Sequence, residues 1–147
     1  MTKSNRIQEK YQHVVTYGTF DLFHAGHVNL LRRIRELADI VSVGLSTDEF
    51  NSIKGKTAVI PYCDRKTVLM SCKYVDNVFP ENSWDQKTND ILRIGADAFI
   101  MGADWTGVFD HLKAITTVIY LPRTEFISTT QIKKHMIIVS KDDIHTG

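Results

Sequence analysis

Short apolar runs that end in turn residues alternate along this chain with amphipathic stretches, and this alternation restricts the fold more than any other feature of the sequence. Val14-Val15-Thr16-Tyr17-Gly18 reads as a buried strand closed by a glycine. Val28, Leu31, Ile34, Leu37 and Ala38 then recur at helical spacing, in a helix that begins near Ala25. Ile40–Leu45 is a second buried run, followed by the polar loop Ser52-Ile53-Lys54-Gly55-Lys56. A helix is predicted from about Asp64, as its N-cap, to Cys72, and a short strand over Asp76–Phe79 that stops at Pro80. A helix over Asp85–Ile94 ends at Gly95, and a strand over Ala98–Met101 ends at Gly102. Val118–Leu121 is the last clear strand, stopped by Pro122, and a final helix starts around Ser128. The pattern predicts an α/β fold: one Rossmann-like, doubly wound domain with a mostly parallel five-stranded sheet and helices on both faces.

In such a sheet, ligands sit beyond the carboxyl ends of the strands. Tyr17-Gly18-Thr19, Ser46-Thr47-Asp48, Gly102-Ala103-Asp104 and Arg123-Thr124 all fall there. The first of these positions leads into Phe23-His24-Ala25-Gly26-His27, where strand turns into helix. Backbone N–H groups in the first helical turn lack intrahelical partners, and the helix dipole favours negative charge, so the turn suits a phosphate. Histidines three apart share one helix face, and Gly26 puts no side chain between them. Zinc is the rival ligand for such a pair, but Cys63 and Cys72 lie far from it in sequence and no third ligand at suitable spacing is apparent.

Composition narrows the class. With 147 residues, 43% of them hydrophobic, the chain is large enough to bury one core. A net charge of +1 gives no basic field for nucleic acid. Two cysteines without a motif suit a reducing compartment, and no apolar run approaches the ~20 residues of a membrane helix. A cytoplasmic protein is expected, with residues 1–12 a polar extension, 13–135 the domain and 136–147 a second extension whose Met136–Val139 stretch could pack on the core or a partner.

The run from Thr16 to His27 resembles the signature of the cytidylyltransferases, within the nucleotidyltransferases that carry a His-x-Gly-His motif. Ser46–Asn51, Tyr74-Val75-Asp76, Met101–Trp105, Tyr120–Glu125 and Ile127–Thr130 are similar, in that order, to the bacterial members that act on glycerol 3-phosphate. The resemblance spans about residues 13–135. It implies transfer of CMP from CTP to glycerol 3-phosphate by direct attack on the α-phosphorus, with Mg²⁺ accompanying CTP, in a homodimer that supplies CDP-glycerol for a cell-surface polymer. Another small phosphomonoester as acceptor, or nucleotide binding without turnover, are the alternatives.

The resemblance also implies roles, each beside a plainer one. His24, His27, Lys54 and Arg123 match catalytic positions. Gly18, Thr19, Phe20, Asp21, Lys56, Gly102, Thr124, Ile127, Ser128 and Thr129 match nucleotide-binding positions, although Asp21 could cap the helix, Lys54 and Lys56 could be solvated, and Ser128 and Thr129 could be an N-cap pair. Arg65, Lys73, Trp84 and Asp104 match the acceptor side, where a lone tryptophan after a strand could equally be core. The chain departs from the pattern at Lys73, Ala103 and Phe126, which stand where the family has an arginine, an acidic residue and a glycine.

Overall fold

Five strands form one sheet in the order β3-β2-β1-β4-β5, and every neighbouring pair is parallel. They are β1 (Tyr11–Gly18), β2 (Ala38–Ser46), β3 (Asn77–Glu81), β4 (Ala98–Gly102) and β5 (Thr117–Leu121). The computed structural model describes residues 10–123 and 132–133. The strand order reverses direction at β1, which makes the gap between the carboxyl ends of β1 and β4 the switch point where such sheets bind ligands.

Alternation along the central strands divides the core into two layers. Val14 of β1 and Ala98 and Ile100 of β4 face Leu31 and Ile34 of helix α1 (Ala25–Leu37) and Leu69 of α3 (Tyr62–Met70). Val15, Tyr17, Phe99 and Met101 face the other way, onto Ile91 of α4 (Gln86–Ile94) and onto Phe109 and Leu112 near a 3₁₀ turn at Asp110–Ala114. Helices thus cover both faces, which is why the inner strands read as continuous apolar runs rather than alternating ones. Gly44 on β2 is forced by this packing: a Cβ there would meet the Tyr17 ring at 2.4 Å. Gly95 closes α4 in the left-handed region, at φ 70°.

Three local expectations are corrected. α3 begins at Tyr62, with Pro61 rather than Asp64 as N-cap; Asp64 lies inside the first turn, where its charge suits the helix dipole. β3 runs through Pro80 to Glu81. It is an edge strand, so a proline's missing N–H costs no ladder bond on its open side. Part of the expected 52–56 loop is helical, in α2 (Asp48–Ile53), where Thr47 Oγ1 accepts from Phe50 N–H at 3.1 Å. The helix expected from Ser128 and the extension at 136–147 lie outside the described residues.

Candidate active site

The carboxyl ends of β1, β3 and β4 open into a cavity of about 510 Å³, lined among others by Gly18, Glu81 and Met101. α1 starts at its edge. His24 is the N-cap of α1, and its Nδ1 accepts the Gly26 N–H at 3.0 Å. The Nδ1 of His27 accepts the His24 N–H at 3.2 Å. One of the N–H groups expected to cradle a phosphate is therefore taken by a histidine of the chain itself. The exchange fixes both rings instead. Each Nδ1 is an acceptor, which assigns the proton of each neutral imidazole to Nε2. The rings stack with centroids 3.9 Å apart, and Phe23 also stacks with His27 at 5.5 Å. Burial and the adjacent His24 hold the His27 pKa down to about 4, and burial also lowers that of His24. At neutral pH the pair is uncharged, with two fixed Nε2–H donors.

The loop between β1 and α1 holds an uncommon backbone: Phe20 and Leu22 have φ of 49° and 50°, in the left-handed region that bulky side chains rarely adopt. Two charged residues hold it. Buried Asp21 accepts Val59 N–H at 2.7 Å and Ile60 N–H at 3.0 Å, and Lys133 Nζ lies 3.2 Å from its carboxylate. Burial alone would raise the pKa of Asp21, but these bonds outweigh it and hold the group below the usual carboxylate range. Arg65, only 2% exposed, donates to Thr19 O and Ser46 O through one nitrogen, to Ile60 O through Nε, and to Asp48 Oδ1 at 2.7 Å. It joins the ends of β1 and β2 to the segment before α3.

Lysines and aromatic rings come together elsewhere around the cavity. Lys87 is buried and pairs with buried Glu81 at 2.5 Å, its ammonium also lying 4.8 Å from the Tyr17 ring, 5.2 Å from Phe109 and 5.6 Å from Trp84. Lys54 lies over Phe50 at 4.5 Å and Trp84 at 5.7 Å. Burial lowers the Lys54 pKa; Glu81 opposes that, and Lys56 and Lys87 add to it. Tyr17 OH donates to Asp90 at 2.8 Å, which anchors the ring under Lys87.

A model of the cytidylyltransferase-like family matches residues 15–135. Over 123 residues, the chain is 54% identical to the glycerol-3-phosphate cytidylyltransferase of Staphylococcus aureus (strain NCTC 8325 / PS 47), a match that covers 84% of this chain and 93% of that one. The chain belongs to the cytidylyltransferase family. The glycerol-3-phosphate cytidylyltransferase of Bacillus subtilis (strain 168) is 53% identical over the same length, covering 84% of this chain and 95% of its own. A lipopolysaccharide core biosynthesis protein of Thermoplasma volcanium shares the fold, with a TM-score of 0.67 at 21% identity over 80% of this chain and 99% of that one.

In this cytidylyltransferase the cavity collects Gly18, Thr19, Phe20, Asp21, His27, Lys54, Lys56 and Trp84 of the expected site residues, with His24 stacked behind His27. Five others lie off the cavity wall. Arg65 is turned into the carbonyls described above and Asp48, where it ties the loops together. Lys73 precedes β3, which in an all-parallel sheet sends it to the end away from the cavity; its ammonium lies over Tyr74 at 5.2 Å. Asp104 and Arg123 face each other at 3.8 Å, both largely exposed, and a Cβ on Gly102 would meet open space. Thr124, Phe126, Ile127, Ser128 and Thr129 lie outside the described residues.

Glu81, Lys87 and Lys133 also line the cavity, and no motif in the sequence points to them. Glu81 closes β3 at its carboxyl end, a position the sequence hides because Pro80 reads as the end of the strand. Lys87 is hidden too, since a lysine in the first turn of an amphipathic helix reads as solvated.

Proposed function

We propose that the protein transfers CMP from CTP to glycerol 3-phosphate, releasing pyrophosphate and forming CDP-glycerol, in the cavity beside α1. The stacked His24–His27 pair carries this reading: two neutral imidazoles with fixed Nε2–H donors at the switch point of a parallel sheet. A phosphate monoester dianion is already a nucleophile, so no covalent intermediate and no general base is required. One oxygen of the acceptor phosphate forms a bond to the α-phosphorus of CTP, and the bond from that phosphorus to the β-phosphate oxygen breaks. Such chemistry rests on positioning and on donors aimed at developing charge, where one preorganised donor is worth about 10²–10³ in rate. His27 faces the cavity and supplies one such donor, while Lys54 and Lys56 supply positive charge for the phosphates.

Among the described residues no three His, Cys, Asp or Glu side chains converge as a metal cage. Of the two cavity carboxylates, Asp21 is bonded to backbone N–H groups and Lys133, and Glu81 gives one oxygen to the Lys87 ammonium, whose charge disfavours a cation beside it. These residues do not build a Mg²⁺ site of their own, so Mg²⁺ belongs to this reading as the counter-ion of the CTP phosphates. The homodimer, the cytoplasmic location and a surface polymer as the destination of CDP-glycerol rest on the family resemblance. The reading is tested by incubating the purified protein with CTP, MgCl₂ and glycerol 3-phosphate and resolving the products by mass. CDP-glycerol and pyrophosphate in equal amounts are expected; hydrolysis of CTP without a new diphosphate ester would refute it.

A further inference from the structure

The Glu81 carboxylate is half used. Its Oε2 meets Lys87 Nζ at 2.5 Å, and its Oε1 has no hydrogen-bond partner among the described residues. That oxygen is also not a sealed orphan: among the described residues, the buried side-chain atoms left without a partner are Asn51 Nδ2 and Tyr62 OH. Glu81 is 3% exposed, and it lines the cavity. A carboxylate oxygen offers two lone-pair directions. One of the hardest groups to desolvate is thus held rigidly, with an acceptor left open toward the ligand space.

We propose that Glu81 selects the acceptor: Oε1 accepts a hydrogen bond from a hydroxyl of glycerol 3-phosphate, with Lys87 holding the carboxylate in place. This rests on the reading of the site given above. The surroundings decide between donors. A ligand ammonium would find Glu81 already paired with Lys87 and a second ammonium, Lys54, on the same wall. Of the aromatic rings that line the cavity, Tyr17, Trp84 and Phe109 already have the Lys87 ammonium within 6 Å of their centroids, and Lys54 also lies near Trp84. A neutral O–H donor meets none of that repulsion. A site built to bind a hydroxyl also discriminates strongly against an analogue that lacks it, because its own polar group is then left dry and unpaired.

The test compares glycerol 3-phosphate with n-propyl phosphate, which has the same phosphate and three-carbon chain without hydroxyls. Initial rates of pyrophosphate release are measured with saturating CTP for the wild type and for Glu81→Gln. The wild type should favour glycerol 3-phosphate at least tenfold in kcat/KM. Glu81→Gln should lose at least tenfold with glycerol 3-phosphate and less than threefold with n-propyl phosphate. Equal losses with both acceptors would mean that Glu81 acts through Lys87 alone, and would overturn the proposal. Should Glu81→Gln not fold because Lys87 is left unpaired, Glu81→Gln combined with Lys87→Met removes both charges, and the same ratio is read. A wild type that uses both phosphates equally overturns the role of Glu81 without any variant and leaves cytidylyl transfer standing. No pyrophosphate with any acceptor overturns both.

Discussion

His24 and His27 stack ring on ring, 3.9 Å between centroids and 29° from parallel, each Nδ1 holding a backbone N–H of the turn they share. The pair is therefore a capping device and a donor device at once: the bonds that start α1 also fix which nitrogen carries the proton.

Replacing His27 by Ala separates these uses. The cap loses the bond to His24 N–H, worth about 1 kcal/mol, and the cavity loses a fixed donor. The variant should fold, keep part of its affinity for CTP in a thermal-shift titration, and lose at least about two orders of magnitude in kcat. A rate near that of the wild type would reduce the pair to a cap.

The same pair gives stability a defined pH dependence. The pKa values of His13, His24 and His27 are all lowered by burial, that of His27 to about 4. Between that value and the unfolded value of about 6.5, the unfolded chain binds the proton and the folded chain does not, so stability rises with pH across this window. The melting temperature should be flat above about pH 7 and fall as pH drops toward 5. His27→Asn should flatten that fall, which melts at the two pH values would show.

Arg65 makes a clear case for distinguishing support from ligand binding. Its guanidinium serves three carbonyls and Asp48, so Arg65→Leu strands the Thr19, Ser46 and Ile60 oxygens. The expected cost is about 3 kcal/mol, or a drop of about 10 °C in melting temperature for a chain of this size. Calorimetry measures it directly. An unchanged melting temperature with a raised KM for glycerol 3-phosphate would instead make Arg65 an acceptor ligand.

The strand-helix alternation, the start of α1 and the stop at Gly95 were legible because each is written in adjacent residues: apolar runs, a glycine, a proline. The His24–His27 pair was legible for the same reason. Arg65 and Lys73 were assigned by motif position, and motif position does not say where a side chain points: one turned inward to carbonyls, the other fell at the far end of the sheet. The Glu81–Lys87 pair was not legible. It is made by β3 and α4 meeting at the cavity, and the buried lysine is tolerated because a carboxylate and three aromatic faces surround it. Likewise, the left-handed φ at Phe20 and Leu22 has no signature in these residue types; the Asp21 and Arg65 bonds to distant backbone impose it.

Those aromatic faces bear on acceptor choice. A choline headgroup gains from open rings, and here Lys54 and Lys87 occupy three of those that line the cavity, Tyr17, Trp84 and Phe109. Choline phosphate should therefore be used at least tenfold less well than glycerol 3-phosphate in kcat/KM, about 1.4 kcal/mol at the transition state. Parallel assays of the two acceptors decide it, and parity would show that the lysines move aside.

The most direct measurement pairs the nucleotide with the acceptor in one reaction. The wild-type protein is supplied with CTP, MgCl₂ and glycerol 3-phosphate labelled with ¹⁸O on its phosphate, and the product is analysed by mass spectrometry. Direct attack at the α-phosphorus, aided by the imidazole donors, should place the labelled oxygen in the new diphosphate bridge of CDP-glycerol, with unlabelled pyrophosphate released. His27→Ala should form the same product at least about 10²-fold more slowly. Failure of the wild type to form CDP-glycerol, or label appearing in the pyrophosphate, would contradict cytidylyl transfer at this cavity.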